Sequence, residues 1–98
     1  MKLFQLREVE EAIEFAEAGG IALHIWRGAS PGPKPRCFKD GEQWGHLIDR
    51  DIARLCANAH RFGVRRVHVS RKGAKGQHVD LCRGPLRKAI SEAEGASE

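Results

Sequence analysis

The chain has 98 residues, 41% hydrophobic and 31% charged, with a formal net charge of +4. This is the composition of one globular domain with a single modest core, and no apolar run is long enough to span a bilayer. The opening MKLFQLREVEEA turns acidic too soon for a secretory signal, so a cytoplasmic protein is expected.

Charge is unevenly spread. Residues 1–20 hold two positive charges against five glutamates, a net of −3, whereas residues 61–88 hold nine against Asp80 alone, a net of +8. A local field of that sign attracts phosphates and steers anionic partners. Cys37, Cys56 and Cys82 are odd in number, widely spaced and form no CxxC pair, so neither a disulfide framework nor a cysteine zinc knuckle is expected.

In chain order, a short strand at Lys2–Gln5 is followed by an amphipathic helix over 7–18. Leu6, Val9, Ile13 and Ala16 line one face of that helix, and Gly19-Gly20 ends it. IALHIW (21–26) reads as a buried strand. Residues 27–45, with three prolines among small and basic residues, read as a long loop. Asp51 then caps a helix over 52–62, in which Ile52, Leu55, Cys56, Ala59 and Phe62 form one apolar stripe and Gly63 supplies the stop. VRRVHVS (64–70) is the next strand, linked by the basic RKGAKGQ to an antiparallel strand HVDL (78–81). Gly84-Pro85 opens a final helix carrying Leu86, Ala89, Ile90 and Ala93. The expected fold is a small α/β domain over 1–98, with a mixed three-stranded sheet and about three helices. A βαβ unit joins strands 21–26 and 64–70, and the acidic helix of 1–20 is an addition to it.

Chemistry concentrates near the C-terminal half. Alternation on a strand projects His78 and Asp80 to the same side, where an imidazole and a carboxylate can hydrogen-bond or share a divalent metal. A metal needs a further ligand, and His46, just before the capped helix, is the candidate. Such a pair on one strand face is more often a solvated or mutually satisfied polar pair than a site. Arg65, Arg66, Arg71, Lys72, Lys75 and Arg83 suit contacts to phosphate backbones, although no GxxxxGK[ST] loop occurs and aromatic residues for base stacking are few.

WGHLIDRDIARLCANAHRFGVRR, followed by HVDLCRGPLRKAI, resembles the short bacterial and phage proteins grouped as domain of unknown function 4031. Trp44, His46, Leu47, Gly63, Arg65, His78 and Asp80 occupy that family's matching places over about residues 21–92. Two departures stand out: the family's first strand ends in aspartates where this chain has His24-Ile25-Trp26, and its His-Tyr-Asp is His78-Val79-Asp80 here. The resemblance draws His46, His78 and Asp80 into one cluster and implies no activity. Three readings stay open at this point. The first is a binder of nucleic acid or another phosphate-bearing partner through a basic surface at 65–88. The second is a metal-dependent hydrolase or nuclease using His46, His78 and Asp80. The third is an interaction module or homodimer docking its acidic helix on a basic face.

Overall fold

The computed structural model describes residues 1–27 and 42–95. Its elements are β1 (Lys2–Phe4), a 3-10 turn (Leu6–Glu8), α1 (Val9–Glu17), β2 (Ala22–Arg27), β3 (Gln43–Ile48), α2 (Ile52–Arg61), β4 (Val69–Ser70), β5 (His78–Cys82) and α3 (Arg83–Gly95). The strands form one mixed sheet in the order β1-β2-β3-β5-β4. Only β1 and β2 run parallel. No helix among the described residues is long and apolar enough to cross a membrane.

The α/β class and the three helices match the sequence reading, but among the described residues the sheet has five strands rather than three. The additional central strand is β3. Its residues QWGHLI place Trp44 and Ile48 on one face and Gly45 and Leu47 on the other, so both faces carry apolar groups and no period of two stands out. Residues 28–41 of the expected 27–45 loop lie outside the described residues, while Arg27 belongs to β2 and Gln43–Gly45 to β3. The expected βαβ unit is also displaced. β2 and β4 are separated by β3 and β5, and the parallel crossover is instead β1-α1-β2. Of the strand expected at 64–70, only Val69 and Ser70 pair, against Val79 and His78.

One face of the sheet carries Leu23, Ile25, Leu47, Val79 and Leu81, packed on Leu55, Ala59 and Phe62 of the α2 segment and on Leu86, Ala89 and Ala93 of α3. Close approach of α3 depends on Gly45. A Cβ there would come within 2.5 Å of Cδ1 of Leu86, which is 2% exposed and has little room to retreat. On the opposite face α1 covers Phe4, Ala22 and Ile48 with Ala12 and Ala16. The acidic helix is therefore seated on the sheet of its own chain.

The link between β3 and α2 is polar and buried. Asp49 is 0% exposed and accepts hydrogen bonds from Arg54 Nε (2.6 Å), Arg54 Nη2 (2.8 Å) and Asp51 N (2.9 Å). Arg54 Nη2 also donates to Gly19 O at 2.9 Å, tying the end of α1 to the same point. Asp51 caps α2 by accepting from Arg54 N at 3.1 Å. Asp49 is buried but Arg54 is 40% exposed, so the pair is partly screened by solvent, and losing Arg54 leaves the buried carboxylate without its charged partner. Arg54→Met is therefore expected to destabilise the domain by about 2 kcal/mol in urea titration, with Asp49→Leu added to it recovering part of the loss. A double variant less stable than Arg54→Met alone would show that Asp49 is held by something other than the pair.

Candidate metal centre

Residues directly opposite in an antiparallel ladder project to the same face. His24 stands opposite His46, and His46 opposite Asp80, so β2, β3 and β5 lay one polar row across the sheet. His78 precedes Asp80 by two positions and shares its face, opposite Ile48. This row lies just beyond the part of the face that α1 covers, flanked on its other side by Trp26 and Trp44, whose rings stack at 5.9 Å.

Asp80 stands between two imidazoles. His46 Nε2 is 3.0 Å from Asp80 Oδ1, and His78 Nε2 is 3.5 Å from the same oxygen. The two histidine rings are 4.1 Å apart between centroids. His78 Nδ1 lies 2.7 Å from Gly76 O. A carbonyl only accepts, so Nδ1 is the donor and Nε2 is turned toward the carboxylate. Gly76 reaches this position at φ 84°, a conformation glycine adopts without strain. Ligand atoms of His46, His78 and Asp80 all lie within 4.8 Å of one another, and all three residues are half-buried.

Their ionisation is split. Burial, outweighing the hydrogen bond to Asp80, pushes the His46 pKa down, and the neighbouring His78 adds to the effect. Burial also opposes charge on His78, but the hydrogen bonds to Asp80 and to the Gly76 carbonyl overcome it and raise the pKa. The Asp80 carboxyl, despite burial, is held well below the usual carboxylate range by hydrogen bonds from both histidines. The fold thus favours a His78 imidazolium, an Asp80 carboxylate and a neutral His46.

His24 was not among the candidate residues. It is 4% exposed, its Nε2 lies 3.0 Å from Leu6 O, and its Nδ1 is buried without a hydrogen-bond partner. A buried nitrogen left so costs on the order of 1–3 kcal/mol, which marks the position as unusual. Alternation along β2 puts His24 and Trp26 on one strand face. Only the pairing with β3 places them beside His46, at 6.0 and 4.4 Å between ring centroids.

The candidate phosphate-binding residues are all exposed, but they do not make one surface. Arg71, Lys72 and Lys75 sit on the turn between β4 and β5. Arg71 is close enough for its charge to act on His78. Arg65 and Arg66 follow α2, outside any strand. Arg83 lies at the other end of β5, where Nη2 is 3.3 Å from Glu42 Oε1. Five strand residues separate it from the turn, a span of about 17 Å. Cys82 is disulfide-bonded and offers no thiol, contrary to the expectation from cysteine spacing. Such a bond depends on how close two Cβ atoms come in the fold, which sequence spacing does not report.

Comparison with protein-family models, with curated proteins and with solved structures found no match.

The opposed shifts have opposite signs in stability. His78, favoured in the fold as the cation, contributes below about pH 6.5 and loses that contribution as pH rises through its raised pKa. His46, favoured as the neutral ring, contributes above about pH 6.5 and loses it as pH falls through its lowered pKa. Asp80 contributes above about pH 4 and loses it in acid. A histidine-ring NMR titration of the chelated protein should place the midpoint of His78 above about 6.5 and that of His46 below it. Midpoints on the same side would contradict the arrangement of one carboxylate between two unlike imidazoles.

Proposed function

We propose that this chain binds a divalent cation through His46, His78 and Asp80 and uses it in hydrolysis of a phosphate-bearing substrate, nucleic acid being the class that the charge distribution fits. The observation that carries the reading is the convergence of two imidazoles and one carboxylate within 4.8 Å on a half-buried sheet face. Two histidines and a carboxylate suit zinc or manganese, and three protein ligands leave a coordination position for water. The bond from His78 Nδ1 to the Gly76 carbonyl supports it further, because metal-binding histidines commonly anchor the second ring nitrogen in this way. A cation held there supplies a Lewis acid and a water more easily deprotonated than in bulk.

Arg71 is the residue assigned to hold a phosphate oxygen. Its guanidinium borders Gly76, and its charge reaches His78. Lys72 and Lys75, on the same turn, would add affinity that weakens with salt and carries no sequence preference. The basic surface first read over 65–88 is narrowed by this account to the turn at 71–75. The reading also keeps the chain within the resemblance to domain of unknown function 4031, since Trp44, His46, His78 and Asp80 are among the residues on which that resemblance rests.

The test is cleavage of a single-stranded DNA oligonucleotide in the presence of manganese or zinc. Turnover should vanish with chelator and fall at least about 100-fold in His78→Ala, the scale of losing a ligand to a catalytic metal. Lys72→Ala should instead raise KM and reduce the salt dependence, with kcat little changed. Salt-sensitive binding with no metal-dependent turnover, for DNA and RNA alike, would leave a binding protein and remove the hydrolase.

A further inference from the structure

A second group of basic side chains lies away from the histidine cluster. A cleft of about 540 Å³ is lined by Arg27, Glu42, Gln43, Arg83, Leu86 and Arg87. Arg27 and Gln43 face each other across the β2–β3 ladder, at the strand ends and on the helix-covered side with Leu23 and Ile25. Arg83, which takes a left-handed φ of 49°, and Arg87 both belong to the start of α3 and both line the cleft. Leu86, packed over Gly45, seats that first turn of α3 close against β3.

Among the described residues, three guanidiniums and one carboxylate line this cleft, a net of +2. Glu42 engages Arg83 at 3.3 Å, while neither Arg27 nor Arg87 has a carboxylate partner among the described residues. All three arginines are exposed, so their guanidiniums are accessible to a solute. A concave, arginine-lined surface is the arrangement that matches an oxyanion with several acceptor oxygens, because each planar fork presents paired donors.

We propose that this cleft is an anion-binding site for a phosphate group, with Glu42 as the internal occupant of Arg83 that an incoming phosphate displaces. The site is separate from the histidine cluster. β5 ends at Cys82 and Arg83 opens α3 three residues after Asp80, so the cleft begins roughly 10 Å from that carboxylate, round the strand end on the opposite face. It needs no metal, and its existence does not rest on the hydrolytic reading.

The experiment uses chelated full-length protein, so that failure of the metal reading leaves it untouched. Inorganic pyrophosphate and a short single-stranded DNA oligonucleotide are titrated separately, following the Nε–H resonances of arginine by NMR. The expected result is that Arg27, Arg83 and Arg87 shift together and saturate. Arg83→Gln and Arg87→Gln should each weaken binding at least tenfold, Arg66→Gln should leave it unchanged, and Glu42→Gln should tighten it about threefold, as loss of an exposed competing ion pair allows. Saturation by pyrophosphate alone assigns the site to a small phosphate ligand. Saturation of the same three resonances by the oligonucleotide at lower concentration assigns it to a nucleic-acid backbone. Shifts that never saturate, or a loss in Arg66→Gln as large as in Arg83→Gln, would overturn the proposal and leave only diffuse attraction to a basic protein.

Discussion

The register of β3 against β5 is the constraint from which the rest of this molecule follows. It sets His46 opposite Asp80 and Leu47 opposite Val79, one pair on each face of the sheet. A slip of one residue would turn His46 into the core under α2 and α3 and Leu47 out beside the carboxylate. Gln77, 4% exposed, pins the register just past its last pair. Its backbone carbonyl accepts from Asp49 N at 3.2 Å, its side-chain amide donates to Asp49 O at 2.9 Å, and its side-chain oxygen accepts from Gly73 N at 2.8 Å. The same Asp49 is clasped by Arg54, so the start of α2, the end of α1 and the turn bearing Arg71 are all referred to one buried point.

With that frame fixed, the chemistry of the cluster follows from where burial stops. α1 covers one end of the face with alanine and phenylalanine, and the two tryptophans cover the other. Between them three titratable side chains are half-buried, which strengthens each charge–charge term over its value in water and penalises any charge left unmatched. Two imidazoles compete for one carboxylate under those conditions, and they divide into one favoured as cation and one as neutral ring. A divalent cation resolves the competition differently, since it can take both rings as neutral ligands and the carboxylate as anion. The buried, unpartnered nitrogen of His24, in the same cross-strand row, adds a further polar group to this stretch of the sheet.

Much of the frame was legible in the sequence because it rests on local signals. Asp51, the stripe ending at Phe62 and the glycine at 63 mark α2 with a cap and a stop, and Gly63 does take a left-handed φ of 105°. The Gly19-Gly20 end of α1 and the apolar spacing of α3 were equally local. β3 was not legible: a strand with apolar groups on both faces lacks alternation, and it followed a stretch rich in proline. The missed strand explains the displaced βαβ unit. Without β3, His24 had no opposite number, the sheet lost its central pair, and β2 and β4 were taken for neighbours. His46, His78 and Asp80 do lie together, and the sequence signals for that were local: the two-residue spacing of His78 and Asp80, and the place of His46 just ahead of the capped helix. The geometry of the cluster was not legible, nor was the separation of Arg83 from Arg71, since both depend on which way β5 runs.

The most direct test of the central claim is a zinc titration of the chelated protein that follows the ring nitrogens of His46 and His78 by NMR. The Nε2 resonances of both should move together, reach an end point at stoichiometric metal, and do neither in Asp80→Asn. Rings that respond separately, or only at large excess of metal, would contradict a shared site and reduce the histidine–aspartate row to the polar filling of a structural sheet.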